Sequence, residues 1–435
     1  MADDDIRDLA ERYWTGEADL VHAHHPVAPA GGARPVELAE GVLYLKSIAA
    51  VTVLDTGGGL VMLDTGHQLD AGSVHDGVVA WRPRTPVTAA VFSHHHVDHV
   101  FGVGLFDTDA DAAGRPRPRV YAHEDLPAHF ARYVRTEGWN RAINMRQFGI
   151  FAPGFRWPTE FRAPDHTYRD RLTFREGGIT FELRHARGET DDATWTWVPE
   201  LSLLHPGDLF IYAVPNAGNP QKVQRYLSDW AAALREMAAL GAETMVPGHG
   251  LPVFGAARIR AALTDTAELL DSLEDQTLAL MNQGRSLDQV LHEVEIPVHL
   301  RDKPYLRPVY DHPQFLVRNV WRRYGGWYEG EPDNLLPAPR AAQAREWVAL
   351  AGGLDRVLDR ARALSAADDD ESQALACHLV EHAVLAEPAS AEAHEVRRAA
   401  YEARSARQES SMARNILAHA ARSSAEGRRD LAGGY

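Results

Sequence analysis

The chain has 435 residues, more than one ordinary domain of roughly 100 to 200 residues, so two or three domains and a sizeable core are expected. Its composition, 45% hydrophobic and 24% charged, is that of a soluble globular protein, and no run approaches the roughly 20 apolar residues of a membrane span. A net charge of −16 argues against a nucleic-acid partner, and the single cysteine, Cys377, rules out an intramolecular disulfide and leaves any metal to His and carboxylate ligands.

Residues 1 to 17 are acidic and lack the basic start and apolar core of an export signal, so a cytoplasmic location is expected. An amphipathic helix over 6 to 14 leads into an Ala-, Pro- and Gly-rich entry region that ends near residue 40. His22, His24 and His25 in it read as a solvated loop, with an accessory metal group as the alternative. Strands follow at 42 to 45, 51 to 54 and 60 to 63, the last two joined by a Gly57-Gly58-Gly59 turn, which is a meander. Asp64-Thr65-Gly66 closes the third strand, and Asp64 there can accept backbone N–H bonds and brace a following loop. A helix over 71 to 81 and an apolar strand over 87 to 92 complete strand, helix, strand, the order of a layered α/β domain.

That last strand runs into Ser93-His94-His95-His96-Val97-Asp98-His99. Alternate side chains of an extended segment share a face, so His94 and His96 can grip one ion while Asp98 and His99 reach a second. His95 should point away. After a strand at 119 to 122 comes a long polar and aromatic segment, 124 to 169, holding Trp139, Asn144, Arg146, Phe148, Phe151, Phe155 and Trp157. It reads as an insertion that covers the site and shapes its pocket, or else as structural packing.

Strands resume at 172 to 174, 179 to 183, 194 to 198 and 201 to 204, and a helix over 226 to 240 precedes a strand at 244 to 246. Three candidate ligands, Glu189, Asp208 and His249, each follow a strand and a Gly-containing turn. Each alone could be an ordinary turn residue; their order behind the histidine cluster makes them candidate ligands. Residues 341 to 423 read as four or five Ala-rich helices with Leu375, Leu379, Val380 and Val384 at three and four spacing, a packing or dimer surface.

Asp64-Thr65-Gly66, His94-x-His96-x-Asp98-His99, Asp208 and His249 together resemble the metallo-β-lactamase fold. Glu189 stands where the common version of that fold has His, which is similar to the alkylsulfatase branch. Gly326-Trp327-Tyr328-Glu329-Gly330-Glu331-Pro332-Asp333-Asn334-Leu335 is similar to the signature of the alkylsulfatase dimerisation domain. The resemblance implies an α/β catalytic domain, an αββα sandwich, over 41 to 260, and an all-α, repeat-like dimerisation domain over 261 to 435. It implies a homodimer, and no counterpart of the sterol-carrier-like carboxyl-terminal module of long alkylsulfatases is expected. Two departures stand out: Asp208 replaces the Glu of that branch, and where its sulfate pocket uses an Asn and an Arg, Asn216 matches the first and Lys222 stands in for the second.

The implied ligand set is His94, His96 and Glu189 on one metal, Asp98, His99 and His249 on the other, with Asp208 between. Imidazole and carboxylate favour two zinc ions, with iron or manganese also admitted. Ions about 3.5 to 4 Å apart bring the pKa of a shared water towards neutrality. Two divalent ions, three carboxylates and one hydroxide sum to about zero, so an anionic substrate needs further cations, for which Lys222 and Arg225 are nearest in sequence. Asp98, Asn216 and Lys222 form the expected catalytic set. The expected substrate is a small anionic ester with an apolar part, an alkyl sulfate; a lactone, thioester or phosphate ester is the alternative, and a non-catalytic scaffold the third reading.

Overall fold

A computed structural model of the chain describes residues 6–27, 33–150 and 156–433; Phe151 and Phe155 of the expected insertion, like residues 1–5 and 28–32 of the entry region, lie outside them. Among the described residues the first sheet has seven strands in chain order: β1 (Arg34–Ala39), β2 (Val42–Lys46), β3 (Val51–Asp55), β4 (Leu60–Leu63), β5 (Val87–Val91), β6 (Arg119–His123) and β7 (His166–Tyr168). β1 to β4 pair antiparallel through short turns, as the meander reading expects. β4 to β7 pair parallel, and parallel neighbours need long crossovers. Helices α2 (Ala71–Trp81) and α3 (Val103–Ala112) supply two of these. Val74 and Val78 of α2 and Val103 and Phe106 of α3 bury against Leu43, Leu45, Val53, Met62 and Ala90, each large apolar side chain contributing about 1.5 to 3 kcal/mol.

The second sheet, in the order β13-β12-β11-β10-β9-β8, comprises β8 (Arg171–Glu176), β9 (Ile179–Ala186), β10 (Ala193–Val198), β11 (Leu203–His205), β12 (Thr244–Met245) and β13 (Val253–Phe254). β11 starts later than the strand expected from 201, because Pro199–Leu201 makes a 3-10 turn and Ser202 takes a left-handed conformation at φ 46°. The sheets are knitted together by Tyr121 stacking on Phe174 at 4.3 Å and by Tyr168 and Thr194 hydroxyls 2.6 Å apart. Where the β3–β4 turn meets the β8–β9 turn, a Cβ on Gly177 (φ +54°) would fall 2.1 Å from the Thr56 carbonyl oxygen, so only glycine fits.

The segment 124 to 169, read from the sequence as a covering insertion or as structural packing, holds two helices, α4 (Leu126–Arg135) and α5 (Glu137–Phe148). In α4, Leu126, His129, Phe130 and Tyr133 recur at the helical spacing of one face, a pattern its polar residues disguise. α6 (Leu227–Ala238) and the 27-residue α7 (Ala256–Asn282) follow in the second half. α8 (Leu287–Glu293), α9 (Val298–Arg301) and α10 (Pro313–Gly325) come next. By chain contacts the protein divides into Met1–Arg135 with Pro158–Tyr324, and Thr136–Trp157 with Gly325–Tyr435. This differs from a division at 260, because α7 packs on α6 and keeps the following helices with the sheets.

In the first unit α1 (Ile6–Thr15) sets Tyr13 against Tyr212, and the His22 to His25 segment is tied down by His25, whose Nε2 lies 2.8 Å from the Val309 carbonyl. The second unit joins α5 to α11 (Arg340–Leu350), α12 (Leu354–Ser365), α13 (Asp370–Ala386), α14 (Ala391–Ala406) and α15 (Ser411–Ala425). Its core is Val348, Leu358, Ala361, Val380, Val384, Val396 and Ala400; Leu375, expected on the packing stripe, is exposed instead. Asp369, Ser390 and Ser410 cap α13, α14 and α15 by accepting backbone N–H bonds, each worth about 1 kcal/mol. No helix among the described residues is long and apolar enough to cross a membrane.

Candidate metal centre

β5 delivers the histidine loop beside the end of β4, where Asp64 is buried in a left-handed conformation at φ 56°. Its carboxylate accepts the Ser93 backbone N–H at 2.7 Å, the Ser93 hydroxyl at 2.8 Å and the His99 Nδ1–H at 2.7 Å. With its proton on Nδ1, His99 presents Nε2 as a lone pair. His94 is set the same way, Nδ1 lying 2.9 Å from Ser93 Oγ, and so is His249, whose Nδ1 donates to the Ile48 carbonyl at 2.8 Å. Three imidazoles are thus oriented by second partners, an arrangement that metal-binding histidines need.

The oriented atoms gather in two groups, His94, His96, Glu189 and Asp208 in one and Asp98, His99 and His249 in the other. In the first, His96 Nδ1 lies 2.8 Å from His94 Nε2 and 3.6 Å from Glu189 Oε1, and Asp208 Oδ2 lies 3.8 Å from His94 Nε2. In the second, Asp98 Oδ2 lies 3.3 Å from His249 Nε2 and 3.8 Å from His99 Nε2. Asp208 spans the gap, with Oδ1 3.5 Å from His99 Nε2 and Oδ2 3.4 Å from His249 Nε2. All seven expected donors are therefore brought together.

These residues fit a pair of metal ions. Donors held about 2.0 to 2.2 Å from one tetrahedral ion lie roughly 3.3 to 3.6 Å from one another, close to most separations here. His99 Nε2 and Asp208 Oδ1 are buried without a hydrogen-bond partner, the condition of atoms whose partner is a cation. A Cβ on Gly248 would fall 2.2 Å from Asp208 Oδ1, so the glycine beside His249 keeps that approach open. Without a cation, burial pushes Glu189 up to about 8 even with Arg225 beside it. For His249, burial is outweighed by Asp208 and Asp98, which raise the imidazole to about 10, so protons gather where positive charge is wanted. Asp98 and His96, 23% and 16% exposed against 7% or less for the other five, mark the side on which the group opens.

Asn216 Nδ2 donates to Glu189 Oε1, so the expected substrate residue also touches an expected ligand. Lys222 feels the charges of Arg225, Asp98 and Glu189; desolvation first, then Arg225, lowers its ammonium to about 8. Arg225 is buried: it is 1% exposed, its Nη1 donates to the Glu189 carbonyl, and its Nη2 lies 3.6 Å from Glu189 Oε1. Two residues outside any local motif hold this loop. Asp311 accepts the Gly218 and Asn219 N–H groups at 2.7 and 3.2 Å, and Asn319 of α10 brackets Arg225 by accepting its N–H and donating to its carbonyl. Neither carries a local signal, since both act some 90 residues away along the chain. Tyr212 and Tyr305 pack with α1, and the Tyr305 hydroxyl donates to Asp265 at 2.6 Å.

Two donor groups at strand ends, sharing one carboxylate beneath paired sheets, define the metal-site architecture of the metallo-β-lactamase fold. The sequence matches the Metallo-beta-lactamase superfamily over residues 46–249 and Alkyl sulfatase dimerisation over residues 286–427. It is 30% identical over 322 residues to a linear primary-alkylsulfatase of Pseudomonas sp., covering 69% of this chain and 60% of that protein. To an (R)-specific secondary-alkylsulfatase of Pseudomonas sp. it is 27% identical over 397 residues, 85% of this chain and 58% of the relative. The solved structure of the stereoselective inverting sec-alkylsulfatase Pisa1 from Pseudomonas sp. superposes with a TM-score of 0.81 at 25% identity, covering 91% of this chain and 66% of that one. The chain thus carries a metallo-β-lactamase domain followed by an alkyl sulfatase dimerisation domain. It spans about 60% of the length of these two curated relatives.

Proposed function

We propose that His94, His96 and Glu189 hold one divalent ion, that Asp98, His99 and His249 hold a second with Asp208 shared between them, and that the protein hydrolyses alkyl sulfate esters to alcohol and sulfate. The observation that carries this reading is Asp208 standing between two preoriented donor groups, one of which contains Glu189 in place of a histidine. Nitrogen and oxygen donors suit zinc, with iron and manganese inside the same donor chemistry, and such a pair when bound activates water near neutral pH. Asp64, Ser93 and the Ile48 carbonyl keep the imidazole lone pairs aimed inward, so no reorganisation accompanies the reaction. Asp98, on the open side, is placed to orient the attacking water. Asn216 steadies Glu189, and Lys222 supplies positive charge to the sulfate group as the C–O or S–O bond lengthens. A homodimer through the second unit belongs to the same reading, supported by the dimerisation-domain match and by the exposed apolar side chains Trp327, Leu336, Trp347 and Leu350. A cytoplasmic location accords with a single, buried, unpaired Cys377.

The test is metal analysis followed by a panel of alkyl sulfates, lactones, thioesters and phosphodiesters. Sulfate release from the first class, abolished by His96→Ala and by Glu189→Ala, is expected. Activity confined to the other three classes removes the reading, and fewer than about one tightly held ion per chain favours a scaffold.

A further inference from the structure

Glu189 is a carboxylate limb of the first donor group, and a carboxylate is harder to aim than an imidazole. A neutral imidazole offers one lone pair in the plane of a rigid ring, whereas a carboxylate offers about four lone-pair sites on two oxygens and turns about its last bond. One oriented partner each suffices for His94, His99 and His249, namely Ser93, Asp64 and the Ile48 carbonyl. Glu189 is held at more points. Its turn is fixed first: Thr194 N–H donates to the Ser93 carbonyl at 2.6 Å, and Asp192 Oδ1 lies 2.8 Å from His95 Nδ1, which ties the turn to the histidine loop. From the other side Tyr226 N–H donates to the Gly188 carbonyl at 3.2 Å, and Arg225 donates through Nη1 to the carbonyl of Glu189 itself. The side chain is then met at Oε1, where Asn216 Nδ2 donates and Arg225 Nη2 lies at 3.6 Å. His96 Nδ1 approaches that same oxygen at 3.6 Å, so the end that Asn216 and Arg225 hold is the end that faces the donor group.

Arg225 thus touches the backbone and the carboxylate of one residue with two nitrogens of a rigid planar fork, which limits the angle between them. The guanidinium is itself fixed. Arg225 is 1% exposed, and its Nε and Nη2 are buried without a hydrogen-bond partner, so no other acceptor draws the fork away. Asn319, 3% exposed, accepts the Arg225 N–H at 3.3 Å and donates to the Arg225 carbonyl at 3.1 Å. A guanidinium this close to a ligating carboxylate has two opposed effects. By charge alone it repels a cation at Glu189, and its removal should tighten metal binding; by aiming the carboxylate it favours the cation, and its removal should loosen binding. The contacts favour aiming, because the Nη1 bond and the Asn319 bracket end on neutral groups and serve orientation without altering the charge balance.

We propose that Arg225 is a positioning residue for the first metal: together with Asn216 it aims the Glu189 carboxylate, and Asn319 holds Arg225 in place to do so. This rests on the reading of Glu189 as a ligand and is independent of which ester is cleaved. The experiment strips the full chain of metal and titrates it with zinc against a chromophoric chelator. It compares wild type, Arg225→Lys, Arg225→Met, Glu189→Gln, and Arg225→Lys combined with Glu189→Gln, and records the visible absorption of each protein loaded with cobalt. Arg225→Lys keeps the charge but loses the fork, and is expected to weaken zinc binding at one of the two sites about tenfold or more; Arg225→Met should weaken it at least as much. The cobalt spectrum should change in both, which a loss of fold stability alone does not produce. In Glu189→Gln, expected to bind about one ion, adding Arg225→Lys should make no further difference, because no carboxylate is left to aim. Wild-type affinity in Arg225→Lys, or tighter binding in Arg225→Met, overturns the proposal and leaves Glu189 a ligand if Glu189→Gln has lost an ion. If Glu189→Gln holds both ions as tightly as wild type, the ligand reading and the proposal fall together. Should Arg225→Met not fold, Arg225→Lys and Asn319→Ser carry the comparison, with Asn319→Ser expected to weaken the same site by a smaller factor and equal affinity in both overturning the proposal.

Discussion

Asp64→Asn is the smallest change that probes how the donor loop is held. The amide keeps the shape of the carboxylate and tolerates the left-handed backbone at φ 56°, so steric and conformational costs are small. What changes is the hydrogen bonding, because the carboxylate accepts three bonds, from Ser93 N–H, Ser93 Oγ–H and His99 Nδ1–H, and an amide offers one oxygen and one NH2. If the oxygen faces His99, the NH2 opposes the Ser93 N–H and a buried donor is left unmet. In the other orientation the NH2 faces His99, which must move its proton to Nε2 and lose the lone pair aimed at the proposed metal. The first costs about 1 to 3 kcal/mol of stability, and the second lowers metal affinity roughly 10- to 100-fold. Urea denaturation in chelator measures the first and competition against a chromophoric zinc chelator the second. Burial alone would raise the Asp64 carboxyl, but the charge of His99 outweighs it and holds it below the usual range. A depressed carboxyl stabilises the fold above its unfolded pKa and loses that contribution as pH falls, so the gap between wild type and variant should close towards acid. An Asp64→Asn protein equal to wild type in both urea midpoint and zinc affinity would refute the argument that Asp64 braces the loop.

Removing one carboxylate from the first donor group by Glu189→Ala should reduce bound zinc from about two ions per chain to about one, read by elemental analysis after dialysis. Gly248→Ala drives a Cβ to 2.2 Å from Asp208 Oδ1 and should cost about 1 to 3 kcal/mol together with metal occupancy; full occupancy at an unchanged melting temperature would count against Asp208 as the shared ligand. Because the Lys222 ammonium is lowered to about 8, kcat/KM for an anionic ester should decline as pH rises through that value. Lys222→Arg, whose side chain stays charged, should move the alkaline limb upward, and a pH profile identical in both proteins would remove Lys222 from anion binding.

The strands and the donor loop were legible because their signals are local. Val42 to Leu63 alternates with turn residues at strand spacing, the histidine loop directly follows an apolar run, and Glu189, Asp208 and His249 each follow a strand and a glycine turn. Asp64 was legible too, since an Asp at a strand end has few uses besides accepting N–H bonds. The covering segment was not, because α4 carries only Leu126, Phe130 and Tyr133 as apolar markers among His and Arg, and the Gly149 that ends α5 at φ 61° looks like any loop glycine. The burial of Arg225 was not legible, for a different reason. Its surroundings, Glu189, Asn319 and Asp311, come from two distant stretches, and a buried arginine can be recognised only after those have met. His95 was expected to point away from the ligands and does so, but into Asp192 and Arg132 rather than into solvent.

The second unit is assembled from the middle and the end of the chain. Asn415 of α15 donates to the Gln147 carbonyl at the end of α5 at 2.8 Å, and Arg146 pairs with Asp430 at 2.6 Å, across 268 and 284 residues of sequence. A polypeptide emerging from the ribosome at about 5 to 20 residues per second makes α5 many seconds before its helical neighbours exist. Until translation ends, the apolar face of α5 has no native cover, so a messenger truncated after residue 324 should yield a product that recruits chaperones or aggregates even though every proposed metal ligand has been translated.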